Sequence, residues 1–225
     1  MTAFSPFEHT ESRMHFSLSR SARPLTALTL ATLLFATPAV RAQSLSPSTL
    51  GISAQVHGLG GTMNTAIYSG ASGSAAFGFG GELSYGATPR LSLVGRLARI
   101  ASKSGIVTET TDYTIMQGDL GLRWMQSPGA RVRPFAEAGL ALRRLAFAYA
   151  DSAGVMSDFT AFNGGATVSL GLMVFQTDKM SVDAAGTYTN GNFSTWKVNG
   201  SPEPLAQMTS ELLGVRIGVR YWFKK

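Results

Sequence analysis

The sequence has no cysteine, which excludes a disulfide framework and any thiolate metal site. Charge is scarce: Asp, Glu, Lys and Arg make up 14% of the chain, against about 25% in an ordinary soluble domain. Hydrophobic residues reach 44%, so a disordered chain is excluded as well, since it needs low hydrophobicity and high net charge. After residue 43 no apolar run approaches the about 20 residues of a membrane-spanning helix. No Gly-rich phosphate loop with its Lys occurs, and Gly78-Phe79-Gly80-Gly81 lacks the spacing of a dinucleotide loop.

What is present begins with a leader. Arg13, Arg20 and Arg23 precede a compact apolar run from Leu25 to Ala36, followed by Pro38 and Val40-Arg41-Ala42. This basic, apolar, small-residue order is that of a secretory signal. The run is short for a membrane anchor. Residues 1–42 are expected to be a cleaved signal peptide, with Met14 an alternative start, and residues 43–225 the mature domain. Those 183 residues hold 15 Lys+Arg and 11 Asp+Glu, a net +4 too mild and too scattered for nucleic acid.

The mature chain alternates. Leu50, Ile52, Ala54 and Val56 make one face of the first segment, with Gly51, Ser53, Gln55 and His57 on the other. The last segment sets Leu213, Val215, Ile217, Val219, Tyr221 and Phe223 against Gly214, Arg216, Gly218, Arg220 and Trp222. Six segments between them read the same way. A period of two means strands with unlike faces. Eight segments of about ten residues match tilted transmembrane strands. The connections Gly86–Arg90, Gln126–Arg131 and Gln176–Met180 are short. Those at Gly60–Gly73, Ser102–Thr111, Ala146–Asp158 and Asn190–Met208 are long and polar. Strict alternation of short with long is the pattern of an up-and-down meander.

Residue type decides which face is wet. A soluble barrel would place Lys and Glu freely on its outer strand faces. Here Lys103, Lys179, Lys197, Lys224 and Lys225 fall in connections or at the terminus, and the polar face is mostly Gly, Ala, Ser and Thr. Tyr85, Trp124, Tyr221 and Phe223 cluster at the short-turn ends, as an interfacial girdle would. The expected fold is all-β: an eight-stranded antiparallel up-and-down transmembrane β-barrel with short periplasmic turns and long extracellular loops. A ten-stranded variant requires Ala146–Tyr149 or Phe193–Val198 to pair as an extra strand.

The closing residues Arg216, Gly218, Tyr221 and Phe223 form a pattern that resembles the C-terminal assembly signal of bacterial outer-membrane proteins. Tyr85-Gly86-Ala87-Thr88-Pro89-Arg90-Leu91 and Arg133-Pro134-Phe135-Ala136-Glu137-Ala138-Gly139 resemble hairpin ends of the same broad group. The resemblance is to small outer-membrane β-barrel proteins of the porin-like, outer membrane protein X or A type. It covers nearly all the mature chain as a pattern, with the departure that Lys224 and Lys225 follow the final aromatic residue. It implies insertion by the barrel-assembly machinery, which would read the last strand. A monomer in the bacterial outer membrane, in contact with lipopolysaccharide, is expected.

An eight-stranded interior is just wide enough for side chains to fill it, and enclosed charges must pair. The interior candidates are Glu82, Arg96, Asp119, Arg123, Glu137, Asp183, Arg216 and Arg220. The expected pairs are Arg96 with Asp119 or Glu82, Arg123 with Glu137, and Arg220 with Asp183. They would either line a gated ion path or form a plug that keeps the barrel closed, and the narrow lumen favours the plug.

Catalysis, as in barrels that modify lipid A or cut peptides, needs a nucleophile, a base and an orienting acid in mutual reach. The only histidine of the mature chain is His57, without a carboxylate on its strand neighbours. No catalytic residue, metal or cofactor is therefore expected. Arg99 and Arg144, in the outward register near the long-loop end, and nearby Lys103 could hold phosphates of an anionic lipid or simply snorkel. Tyr68, Phe147, Tyr149, Phe193 and Trp196 fall in the long connections, where they would pack as a lid or contact a ligand. The expected role is non-enzymatic, in envelope structure or surface interaction. A narrow porin-like channel is the alternative, and a lipid A-modifying enzyme a more remote one.

Overall fold

Strict alternation demands a sheet with one greasy and one polar face, and in the computed structural model that sheet closes on itself. The structure describes residues 47–65, 74–106, 109–150, 154–204 and 208–223, with the backbone alone at 65, 103–106, 109–112, 149 and 150. The predicted leader, Tyr68, Lys224, Lys225 and the side chains of Lys103 and Tyr149 lie outside the described residues.

The strands are β1 (Gly51–Thr65), β2 (Ser74–Gly86), β3 (Leu91–Ile106), β4 (Glu109–Met125), β5 (Val132–Ala150), β6 (Met156–Phe175), β7 (Met180–Val198), β8 (Ser201–Glu203) and β9 (Met208–Trp222). Each strand from β1 to β7 pairs antiparallel with the next, β9 pairs with β7, and β9 closes the ring on β1. Eight strands make the barrel. The three-residue β8 only folds back on Trp196–Val198. Its turn is Asn199-Gly200, with φ of 50° and 84°, the positive values a two-residue I′ hairpin needs.

Register fixes the barrel's geometry. Following paired residues around the ring from Gln55 gives Glu82, Arg96, Asp119, Ala141, Gly165, Gly191 and Ser210, and returns to β1 at Thr65. The stagger is thus ten residues (65 − 55) over eight strands. At about 3.3 Å per residue and about 4.8 Å between strands, the strands tilt by about 40°. The outward apolar series from Leu213 to Phe223 then spans about 25 Å along the barrel axis, the height of an outer-membrane hydrophobic band.

The turns at one end are tight. Thr88 Oγ1 accepts from the amides of Arg90 (3.2 Å) and Leu91 (2.9 Å). Thr177 Oγ1 does the same for Lys179 (3.2 Å) and Met180 (3.0 Å). Such short hydroxyl-to-amide bonds preset the reversal. In the turn between β4 and β5, Ser127 and Gly129 take φ of 55° and 89°, and Arg131 Nε donates to Phe175 O at 3.0 Å.

At the other end the strands run further than the sequence pattern indicates. They reach 13 to 20 residues rather than about ten. Much of each predicted long connection is paired strand, so Lys103 lies in β3 and Lys197 in β7. Ala146–Tyr149 and Phe193–Val198 lengthen β5 and β7 instead of adding strands. Above the apolar band the outward residues turn polar while several inward ones are apolar and buried, so the pattern of the lower strands fades while backbone pairing continues.

The outer surface is apolar. Val56, Phe79, Leu140, Leu142 and Leu170 are each about 70% exposed, far more apolar area than a soluble monomer shows. Tyr85, Trp124, Tyr221 and Phe223 are also exposed, all toward the short-turn end. The buried face holds the arginines, carboxylates, Ser and Thr.

Candidate functional site

The interior carries a compact ionic cluster whose members are delivered by register. Glu82, Arg96 and Asp119 lie side by side on β2, β3 and β4, and Arg123 faces Glu137 across β4 and β5. Arg96 donates from Nη1 to Asp119 Oδ2 (3.0 Å) and from Nη2 to Glu82 Oε2 (3.0 Å), and also bonds Glu137. Arg123 binds Glu137 through Nε (3.0 Å) and Glu82 through Nη2 (2.9 Å). Arg220 donates to Asp183 Oδ2 (2.9 Å) and Glu82 Oε1 (2.5 Å), and to Gln55 Oε1 (2.8 Å), Ser53 Oγ (3.0 Å) and Ser84 Oγ (2.9 Å). Arg216 stands further off, 3.7 Å from Glu82 and 3.5 Å from Glu137.

All eight residues named from the inward register are therefore brought together. Four guanidinium groups meet four carboxylates, so the cluster is neutral as a whole, and every member is buried. That balance is what makes enclosure tolerable, because a lone charge at this depth would cost several kcal/mol. Glu82 is the hub, in contact with all four arginines.

Apolar layers close the cluster above and below. Toward the short turns lie Met125, Phe135, Met173, Phe175 and Trp222. Guanidinium groups stack on this floor: Arg123 over Phe135 at 4.8 Å, Arg133 over Phe175 at 4.6 Å and Arg220 over Trp222 at 5.7 Å. Toward the hairpin end a ceiling forms from Met63, Ile100, Ile115, Leu145, Phe193, Trp196, Met208 and Leu212. Phe193 and Trp196, predicted in a loop, are thus strand residues turned into the barrel mouth, and Phe147 packs against them.

The inward pattern hid this ceiling because it names the polar residues first. Its signal was the breaks in alternation, Ile115-Met116 and Leu212-Leu213, where both neighbours are apolar. Arg133 and Arg143, not assigned to the cluster, are buried too. Arg133 donates to Pro47 O at 2.6 Å, and Arg143 to Ser210 O at 3.0 Å. Spacing by two from Glu137 on β5 would have found both.

A cavity of about 10 Å³ lies between cluster and ceiling, lined by His57, Gln117, Asp119, Thr187, Thr189 and Arg216 among others. That is room for about one water. Neither ring nitrogen of His57 has a hydrogen-bond partner among the described residues. Asp119 borders the same cavity but bonds Arg96 and Gln117 instead. Among the described residues no group of His, Asp and Glu is placed to hold a metal ion.

On the outer face, Arg99 and Arg144 flank Met116 in one cross-strand row, Arg99 pairing with Met116 and Met116 with Arg144. Both are exposed. The Arg144 guanidinium lies 5.9 Å from the Phe162 ring.

A model of the outer membrane protein beta-barrel domain matches residues 27–221. The chain belongs to that family. No curated protein matches it. Solved structures that share the fold include the following two. One is Neisserial surface protein A, 18% identical, covering 77% of this chain and 97% of its own, with a TM-score of 0.54. The other is the outer membrane protein OprG from Pseudomonas aeruginosa, 12% identical, covering 80% of this chain and 100% of its own, with a TM-score of 0.57.

As an outer membrane β-barrel, the protein resides in the bacterial outer membrane. Short turns of such barrels face the periplasm and the longer hairpins face outward, so the aromatic ring of Tyr85, Trp124, Tyr221 and Phe223 marks the inner interface. In β9, Arg216 and Gly218 point inward while Tyr221 points out, and Phe223, one residue past the strand, is exposed beside it, the two rings in edge-on contact at 5.3 Å.

Proposed function

We propose that this outer membrane β-barrel is a non-enzymatic, closed envelope protein, acting in structure and surface interaction rather than transport or catalysis. The observation that carries the reading is the sealing of a neutral salt-bridged cluster by apolar layers at both ends. An ion entering this lumen would have to cross the Phe193–Trp196 ceiling and then break pairs at Glu82. His57 lies below that ceiling, away from any macromolecular substrate.

In this reading residues 1–42 are an export leader, and the mature chain is inserted as a monomer by the barrel-assembly machinery reading Arg216, Gly218, Tyr221 and Phe223. The test is conductance of the purified, refolded barrel in a planar bilayer. The expected result is a silent membrane. Discrete, reproducible channels from wild-type protein would favour the porin-like alternative and overturn the closed reading.

A further inference from the structure

The interior explains its own polar residues, but the outer face does not. Arg99 and Arg144 sit at the upper edge of the apolar band, about 10 Å apart across two strand spacings. Neither forms an ion pair among the described residues. A charge on the lipid face of a barrel costs free energy that falls only toward the interface. Two cations on one row also repel each other, so the pair calls for an anion between them.

Three troughs converge on these arginines. One of about 850 Å³ runs beneath Arg99, among Phe79, Gly81, Leu83, Gly95 and Leu97. A second of about 540 Å³ passes beneath Arg144, over Gly118 and Gly164. A third of about 690 Å³ lies above, between the two arginines, with Asp158 at its rim. Arg99 is level through Phe79 with Gly58, four residues above Ala54. With the stagger added, the trough from Arg99 down to Ala54 is about 15 Å deep, one leaflet of a bilayer.

The trough glycines are a second, independent observation. Inward glycines such as Gly139 are forced by crowding, since a Cβ there would lie 2.4 Å from Leu120 O. The outward ones are not. A Cβ on Gly95 or Gly118 would meet nothing nearer than 4.0 Å, one on Gly81 nothing nearer than 3.7 Å, and one on Gly164 nothing within 4 Å. Glycine within a strand weakens it, by about 0.5–1 kcal/mol relative to alanine, and often marks where a ligand approaches. No contact inside the chain offsets that loss at these positions.

We propose that Arg99 and Arg144 hold the phosphate of one outer-leaflet phosphorylated glycolipid, with an acyl chain lying in the trough over Gly81 and Gly95. The occupant is a lipid rather than a second copy of the chain, because a two-fold contact on this face would bring four arginines together. The inference stands on the membrane placement alone and is untouched by whether the barrel conducts.

The test is native mass spectrometry of the full-length protein, processed by its host and extracted in mild detergent, with bisphosphorylated lipid A, phosphatidylcholine and inorganic phosphate as probes. The expected result is one lipid A retained per barrel, little phosphatidylcholine, and no displacement by millimolar phosphate. The R99A/R144A double variant should lower retention about tenfold or more, since each charge-assisted contact is worth at least a factor of that order. Gly95→Leu, which adds bulk to the trough from a position where the Cβ meets nothing nearer than 4.0 Å, should lower it while heat-resistant folding on gels stays unchanged. Gly186→Leu, outward on β7 and away from the troughs, should behave as wild type. Equal retention by wild type and Gly95→Leu, displacement by phosphate alone, absence of bound lipid A, or a dimer in its place would each overturn the proposal.

Discussion

Removing the hub of the interior cluster is the sharpest perturbation available. Glu82→Gln keeps the side-chain volume but deletes the one carboxylate that touches Arg96, Arg123, Arg216 and Arg220. Four arginines then share three carboxylates in a space without bulk water. The new amide NH2 also points a donor at guanidinium donors. Breaking a buried ion pair by removing one partner costs about 3–5 kcal/mol, a large share of the about 5–15 kcal/mol that holds a domain folded.

A second change checks the cause. Arg216 has the longest contacts of the four and leaves Nη1 without a hydrogen bond. Glu82→Gln combined with Arg216→Met restores three cations to three anions and should recover about 1–3 kcal/mol relative to additivity. The assay is urea unfolding in lipid vesicles, followed by tryptophan fluorescence and by gel mobility of unheated samples. If Glu82→Gln shifts stability by less than about 0.5 kcal/mol, or if the double variant shows no coupling, then the cluster does not hold the barrel and the argument fails.

Four further outcomes follow from the same geometry. Gly139→Ala should destabilise by at least about 1–3 kcal/mol, because its Cβ would lie 2.7 Å from Gly121 Cα. Gly95→Ala should be neutral or slightly stabilising, and the same urea titration separates the two. In single-tryptophan variants, lipids brominated on the acyl chain should quench Trp124, which is 50% exposed, much more than the buried Trp222; equal quenching would contradict the outward orientation of the girdle. Phe223→Ala should reduce folded barrel in the outer membrane while leaving refolding into detergent intact, measured by cell fractionation beside in vitro folding yield; a matching loss in both would assign Phe223 to stability instead of assembly.

Much of the architecture was legible because a strand's two faces are a local property. Leu213 to Phe223 and Arg216 to Arg220 sort themselves by parity without knowledge of any partner strand. Pairs such as Arg123 with Glu137 were also readable, since short turns restrict the register of neighbouring strands. Strand ends were not readable. Past Ser102 on β3 and before Asp112 on β4 the sequence loses its alternation, and pairing of Lys103–Ile106 with Glu109–Asp112 continues the sheet. Phe193 and Trp196 read as loop residues for a different reason: there the polarity reverses, with apolar side chains buried inside and Ser194 and Thr195 exposed.

The sequence by itself determined the all-β class, the greasy exterior, the polar lining and the short turns, all of which follow from the spacing of residue types along one chain; eight strands rather than ten was settled only by the pairing of β5 and β7 along their full lengths. Closure decided the rest. The closing β1–β9 register sets Arg220 of β9 and Glu82 of β2 on either side of Gln55, within reach of each other. The closed ring stacks Phe193 and Trp196 over the lumen, while the local pairings of β3, β4 and β5 line up Arg99 with Arg144 above a glycine trough. The β1–β9 pairing joins strands from the two ends of the barrel domain, so no turn in the sequence sets its register.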